Sequence, residues 1–433
     1  MFDQLLTIGN FYWAGDRFCP PLPSPDVRGR FASARVDHDG VITFVRDRLG
    51  LNKLFVSFEE AGNVFAANYL IDVVRRGSSL EKTFSVPPAH VVRFDQNRGL
   101  TTLERYAAPP PEQGGRNTPL RDLAQGIRRA LETTFLRLAA AFSDRRVCVC
   151  LSGGLDSGII AALARKHFPA VIGYTYSFGD AGDPPSEDAV NAEALATALG
   201  IPLRLVTASS DDVLAVVDDA ICYGQDWRDF NVHCAIVNEI LARAMRQDLD
   251  GGSPESACVV LTGDLANELL ADYTPITYAG REFYTLPDLE TGRLRQTLVR
   301  GLDAGDREVG VFARHGLDVI QPYALVADEY LGVPGSLLGR DGFKQTVSRE
   351  IAGDLLPEFI FQRRKVRAQI GNAKASTGIL PLLVDRGVDA ACLRRDFCRI
   401  FSVQDDACLD NFVRAGRYRA MGTASAGRHS IAT

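Results

Sequence analysis

The stretch that most constrains this chain is residues 146–165, RVCVCLSGGLDSGIIAALAR. Val147 to Leu151 form an unbroken apolar run, the pattern of a strand buried on both faces of a parallel sheet. The run stops at Ser152-Gly153-Gly154, and an amphipathic pattern follows with Leu155, Ile159, Ile160 and Leu163 along one face. A strand, a glycine turn and a helix in immediate succession make an anion site. The glycines let backbone N–H groups close around phosphate oxygens, and the helix N-terminus adds partial positive charge. Ser152 and Ser157 offer hydroxyl donors to the same oxygens, and Asp156 is placed to hold Mg²⁺ against them. An ordinary tight turn capped by Ser152 or Asp156 would need the same change of pattern. The complete string SGGLDS in this setting tips the reading to nucleotide binding.

The flanking sequence organises around this unit. Residues 1–107 read as mostly β, with apolar runs Val41–Val45, Leu54–Phe58, Val64–Ala67 and Val91–Phe94 between turn signals. A small sandwich-like domain is expected there. Residues 108–118, APPPEQGGRNT, have linker composition, and residues 119–433 form the second domain. Its pattern begins with a helix over Pro119–Phe142. Beyond the opening strand and helix come a strand at Val171–Phe178, a helix at Glu187–Leu199 ended by Gly200, and strands at Leu203–Val206 and Cys258–Leu261. Strands alternating with helices predict an α/β fold with a doubly wound parallel sheet, which binds ligands beyond the carboxyl ends of its strands. That rule gathers Ser152–Ser157, Tyr176–Phe178 and Gly263–Glu268 on one edge. Residues 278–430 read as largely helical, and the last residues as frayed.

SGGLDS resembles the pyrophosphate-binding loop of the N-type ATP pyrophosphatases, whose fold is adenine nucleotide α hydrolase-like. The resemblance implies ATP as co-substrate, split to AMP and pyrophosphate as an oxygen of the substrate is adenylylated. Within that superfamily several stretches resemble the asparagine synthetases and their relatives, the β-lactam and carbapenam synthetases and the cyclases of lasso peptides. Val260 to Glu268, VLTGDLANE, resembles LSGEGADE. Ile320-Gln321-Pro322-Tyr323 stands for RVPFLD, Lys344 and Arg349 fit K…LR, and Leu356-Pro357 through Arg364-Lys365 resembles LP…R-x-K. In the N-terminal part, Arg46 to Gly50 resembles RDPLG and Pro87 to His90 resembles LPPGH, as in a class II glutaminase-like domain of about half the usual length. The likeness runs over most of residues 30–370.

The resemblance assigns roles residue by residue. Leu151, Ser152, Gly153, Gly154, Asp156, Ser157, Tyr176, Ser177 and Gly263 would bind ATP, with Mg²⁺ on Asp156 and Asn267. Lys365 would face the reacting carboxylate and phosphate; a solvated loop charge beside Arg363, Arg364 and Arg367 is its plainer reading. Lys344 would pair with a phosphate or a local carboxylate. Asp264 would take the proton of the attacking amine, or else cap the helix beginning at Leu265. Asp306 stands where β-lactam synthetases place a partner acid, counting back from Pro322, although GLDAGDRE also reads as solvated surface. Glu187 and Asp188 read as first-turn helix residues, and Gln225 to Asp229 as a possible acceptor-pocket wall.

Three departures qualify the likeness. Position 2 is Phe2, not the nucleophilic cysteine, and Cys19 precedes Pro20 without a free α-amine, so glutaminase activity is expected to be absent. Asn267 replaces the motif's aspartate, and Asp264 replaces a glutamate, or the tyrosine of β-lactam synthetase.

Composition narrows the classes. With 48 Lys and Arg against 54 Asp and Glu the net charge is −6, which argues against bulk nucleic-acid binding. No apolar run reaches a membrane span, and nine cysteines without C-x-x-C spacing fit a reducing, cytoplasmic setting rather than a zinc site. The expected function is an amide-forming ligase acting on a small-molecule carboxylate with ammonia or an amine, in specialised-metabolite biosynthesis. It would work as a homodimer or with a separate amine-delivering protein. An ATP-dependent RNA-modifying enzyme and a non-catalytic ATP-binding scaffold are the competing readings.

Overall fold

A computed structural model of the chain describes residues 1–14, 27–58, 63–108, 119–180, 182–250, 258–270, 272, 276–284, 307–338, 342–363, 367–370, 377–404, 409 and 431–432. Cys19, Asp306 and Lys365 lie outside them.

The N-terminal part is a β sandwich. Strands β1 (Phe2–Leu5), β2 (Phe11–Ala14), β3 (Val27–Arg30), β4 (Ala32–Val36), β5 (Val41–Arg46), β6 (Phe55–Phe58), β7 (Val64–Ala67), β8 (Thr83–Ser85), β9 (His90–Asp95) and β10 (Leu100–Arg105) follow in sequence. One sheet runs β1-β7-β6-β8; the other contains β10-β9-β5-β4, with Ile431–Ala432 beside β10. Those two residues pair as a short strand, so the expectation of a frayed end does not extend to them. Period-2 alternation sends Ile42, Phe44, Val92 and Phe94 from one sheet against Leu54, Val56, Val64 and Phe84. Phe2, in β1, sets its ring edge-on to Phe44 at 6.1 Å. The RDRLG string is a staple of this fold. Arg46 is buried, donating to the carbonyls of Asn52, Val86 and Gly50 and to Ser85 Oγ. Asp47 accepts backbone N–H bonds from Phe31, Leu49, Leu51 and Asn52. A short helix α1 (Leu70–Arg75) leaves the sandwich.

The second part is built on β11 (Arg146–Cys150), β12 (Val171–Phe178), β13 (Leu203–Ala208), β14 (Cys258–Leu261) and, after the hairpin β15 (Ile276–Tyr278)–β16 (Arg281–Phe283), β17 (Asp318–Ile320). All five sheet strands are parallel, in the order β13-β12-β11-β14-β17. Successive strands go outward on one side of β11, and the order then returns to place β14 on the other side. The switch point therefore falls between β11 and β14, where a doubly wound sheet opens a crevice. Both faces are covered. Val147 and Val149 face α2 (Leu120–Ala141), α3 (Leu155–His167) and α4 (Glu187–Leu199). Cys148, Tyr174 and Val260 face α5 (Ser210–Ala215), α6 (Val217–Gly224) and the long α7 (Asp229–Asp250). The parallel sheet thus accounts for the unbroken apolar strands. Two-faced burial leaves Cys148 and Cys258 as free core thiols. Among the described residues no helix is long and apolar enough to cross a membrane.

Candidate active site

A cavity of about 340 Å³ opens at the switch point. Leu151, Ser152, Gly154, Asp156 and Ser157 line it from the loop after β11, and Thr262, Gly263, Asp264 and Asn267 from the loop after β14. Phe230, Cys234, Val237 and Leu241 line it from α7, at the helical spacing that puts them on one face. Gln225 to Asp229, expected as a pocket wall, serve other ends. Gln225 bonds to Leu70 and Asn68, Asp226 holds Arg228, and Trp227 packs on Phe397. The wall begins one residue later because those polar groups organise the start of α7.

The phosphate loop is a cradle. Gly153 has φ 65°, and a Cβ there would come within 2.5 Å of the Ala192 amide, so both turn and helix packing require glycine. At Gly263 a Cβ would lie 2.6 Å from the Ser157 amide, so the second loop rests directly on the first. Gly154 ends the turn and starts α3 without any side-chain cap, leaving first-turn N–H groups to the cavity side. Ser152 and Ser157 pair their hydroxyls at 3.0 Å. Tyr176 lines the same cavity with a buried hydroxyl that has no hydrogen-bond partner. Ser177 does not; its Oγ accepts from the Ser186 amide at 2.9 Å and so ties β12 to the start of α4.

Lys344, on the helix Phe343–Ala352, reaches this loop. Its Nζ donates to Asp156 Oδ2 at 2.6 Å and to Asn267 Oδ1, with Asp272 Oδ2 at 3.7 Å. Asp156 Oδ1 is buried without a hydrogen-bond partner. That free oxygen suits a hard cation. No group of three His, Cys, Asp or Glu among the described residues is arranged to hold a metal by itself. Mg²⁺ on Asp156 would thus need phosphate oxygens or water to complete its ligands. Tyr323, from the segment resembling RVPFLD, fixes the loop by donating to the Asp156 carbonyl at 3.0 Å.

Across the cavity lies a cluster of acids around one arginine. Leu265 holds φ 76°, a left-handed backbone unusual for a side chain of its size. Arg307 donates to Asp264 through two bonds of 2.8 and 2.5 Å, and to Glu268 Oε1. Its guanidinium lies over the Phe230 ring at 4.8 Å. Glu308 is buried, and its Oε2 accepts from Thr262 Oγ1 at 3.0 Å and Gln321 Nε2 at 2.7 Å. Burial, followed by the nearby charge of Asp264, pushes the Glu308 carboxyl well above the usual carboxylate range. Burial also raises Asp264, against the pull of Arg307.

Glu308 and Arg307 carry no role in the sequence reading, which looked to Asp306. Their signal is positional only: both immediately precede the apolar run Val309–Phe312 that leads into β17. Asp188 is also more than a first-turn residue. It is buried and paired with Arg363, whose Nη1 reaches the Ser152 carbonyl at 3.3 Å. Burial lifts Asp188 to about 6 despite that partner. Ser186 does the capping instead. Arg349, from the K…LR pattern, is turned to the surface and pairs with Glu358 at 2.5 Å. Arg363 and Arg367 line the cavity on either side of residues 364–366.

Residues 127–310 match the profile of the asparagine synthase family. The asparagine synthetase (glutamine-hydrolysing) of Bos taurus is 23% identical over 370 residues, an alignment covering 76% of this chain and 62% of that protein. The human enzyme of the same description is 23% identical over 401 residues, covering 82% of this chain and 68% of its own length. The chain therefore spans about three-fifths of the bovine relative's length. Among solved structures, NMN synthetase from Francisella tularensis overlaps 73% of this chain and 98% of its own at 14% identity and a TM-score of 0.30, too loose to argue from. The phosphate loop, Asp264 and Glu308 all fall inside the matched span, and the chain is asparagine synthetase-like there.

Proposed function

We propose that the chain is an ATP-dependent, AMP-forming ligase that joins a small-molecule carboxylate to ammonia or an amine. One observation carries the reading: a phosphate cradle and an acid cluster with raised proton affinity open into the same cavity. In the proposed reaction the carboxylate oxygen attacks the α-phosphorus of ATP and releases pyrophosphate. The amine nitrogen then displaces AMP from the acyl group, and its proton must leave.

The chain's own residues divide this work. The Ser152–Ser157 loop binds the leaving phosphates through backbone N–H groups and two hydroxyls. Asp156, with phosphate oxygens, would hold Mg²⁺, which supplies charge neutralisation when bound. Lys344 adds an ammonium beside it. The Asp264–Glu308 pair takes the amine's proton, with Arg307 fixing Asp264 in place. The apolar face of α7 shapes the remainder of the cavity. Screening carboxylic acids, with ammonia and simple amines, for ATP-dependent AMP release tests the reading; release of ADP instead would refute it.

Lys365 remains the proposed charge over the reacting phosphorus. Lys365→Ala is expected to lower kcat by roughly 10²-fold with little change in KM for ATP, as for a lost oxyanion donor. Lys365→Arg should restore activity only in part, because a guanidinium cannot place its charge as compactly. Unchanged kcat in Lys365→Ala would return the residue to a solvated loop.

We further propose that the sandwich hydrolyses no glutamine. Phe2 occupies β1 and packs on Phe44, so a half-buried aromatic ring set against the sandwich core stands at the position expected for a nucleophile. Incubation with glutamine is expected to release no more glutamate than a buffer control.

A further inference from the structure

The sandwich makes specific contacts with the segment that carries Glu308. That segment runs from Glu308 through the helix α8 (Val309–Ala313) and β17 to Gln321. Its two ends meet, because Gln321 Nε2 donates to the Glu308 carboxylate at 2.7 Å. A five-residue helix has little stability of its own, so its position is set by what it packs on. Two of its fixings come from the sandwich side. Tyr69, next to α1, is buried and donates its hydroxyl to the Gly310 carbonyl at 2.8 Å, two residues from Glu308. At the other end Asp318 opens β17 and receives Arg145 at 2.6 Å and Arg30, from β3, at 3.4 Å. Between these, Val309, Val311 and Phe312 share one apolar core with Ile8, Tyr69, Leu70 and Ile71. Gln225 locks the docking, accepting from the Leu70 amide at 2.7 Å.

We propose that the sandwich is a positioning element for the acid cluster, with Tyr69 its principal positioning residue: its hydroxyl fixes α8 and so holds the Glu308 carboxyl beside Asp264. The catalytic consequence rests on the function proposed above; the positioning itself does not. Groups that face Glu308 are Asp264 and Arg307 within the same cluster, Thr262 from β14's end, Gln321 from β17's end and the Cys150 thiol of β11. Loosening α8 admits water to this cluster, which relieves the burial that raises the carboxyl's proton affinity.

The test needs no substrate. Infrared spectroscopy of the full chain across pH follows buried carboxylic-acid absorption, and the band missing from Glu308→Gln belongs to Glu308. In Tyr69→Phe, which loses one oxygen atom, this band is expected to disappear at a pH lower by about 0.5–1 unit, the size that one net hydrogen bond supports. Tyr106→Phe is the control. It removes another sandwich hydroxyl, bonded to the Arg46 carbonyl at 2.9 Å, and should leave the titration where it is. An unchanged titration in Tyr69→Phe, an equal shift in Tyr106→Phe, or no band lost in Glu308→Gln overturns the proposal. Failure of the ligase reading would show separately, as the absence of AMP release from the unmodified chain.

Discussion

Asp156→Ala is expected to reduce ATP-dependent AMP release by about 10³-fold or more while the chain stays folded. The side chain has two distinct jobs. Oδ2 binds Lys344 at 2.6 Å, and Oδ1 is a buried oxygen without a partner, open to a cation on the phosphate loop. Losing both removes the proposed metal ligand and frees Lys344 from its place; together a loss of about 4 kcal/mol in transition-state stabilisation gives the stated factor. The loop itself should persist, since Tyr323 holds the Asp156 backbone carbonyl and not its carboxylate. Folding will suffer to a degree, because Lys344 is left buried with only Asn267 and the more distant Asp272. Circular dichroism separates this from loss of the fold. Asp156→Asn keeps the shape and removes the charge, so it should lose nearly as much activity with a smaller cost in stability. An Asp156→Ala protein that releases AMP at the normal rate would show that the cation is held elsewhere.

What could be read from the sequence follows what leaves a mark in pattern. Val171–Phe178 and Cys258–Leu261 coincide with strands because burial on both faces forbids interruption by charge. Glu187–Leu199 coincides with α4 because Gly200, at φ 64°, takes the left-handed end that other residues avoid. The crevice position followed from topology: of Ser152–Ser157, Tyr176–Phe178 and Gly263–Glu268, the cavity is lined by Ser152, Gly154 to Ser157, Tyr176, Gly263, Asp264 and Asn267. Charge partners were not legible in the same way. Asp188 reads as a helix start, yet its partner Arg363 is distant in sequence and reaches it only in three dimensions. Glu308 sits in a string rich in charge and glycine that resembles solvated surface. Its burial depends on Thr262 and Gln321 arriving from two adjacent strands. Counting back from Pro322 picks Asp306, which lies outside the described residues; Glu308, two residues on, is an acid that lines the cavity. Ser177 erred in the opposite direction, adjacent to the cavity in sequence but bonded away from it.

Glu308→Gln should have the second large effect, and its pH dependence has a defined sign. General acid–base groups contribute about 10²–10⁴-fold, and loss of kcat in that range is expected. In the unmodified chain activity should rise with pH as the Asp264–Glu308 pair loses its proton, through a limb above the ordinary carboxylate range because burial and the Asp264 charge raise Glu308. With glutamine in place only Asp264 titrates, so the limb should move to lower pH while the remaining rate falls. Stability should change in the other direction. A carboxyl whose folded pKa is raised binds its proton more tightly folded than unfolded, so it stabilises the fold less as pH rises past the unfolded value near ~4.3. Glutamine keeps an amide oxygen for Thr262 and Gln321 and never has to ionise. Glu308→Gln should therefore melt at a higher temperature than the unmodified chain at pH 8, and the difference should shrink toward pH 5. Equal melting temperatures at both pH values, with unchanged kcat, would mean that Glu308 is ionised and solvated in the working protein and takes no part in the proton's departure.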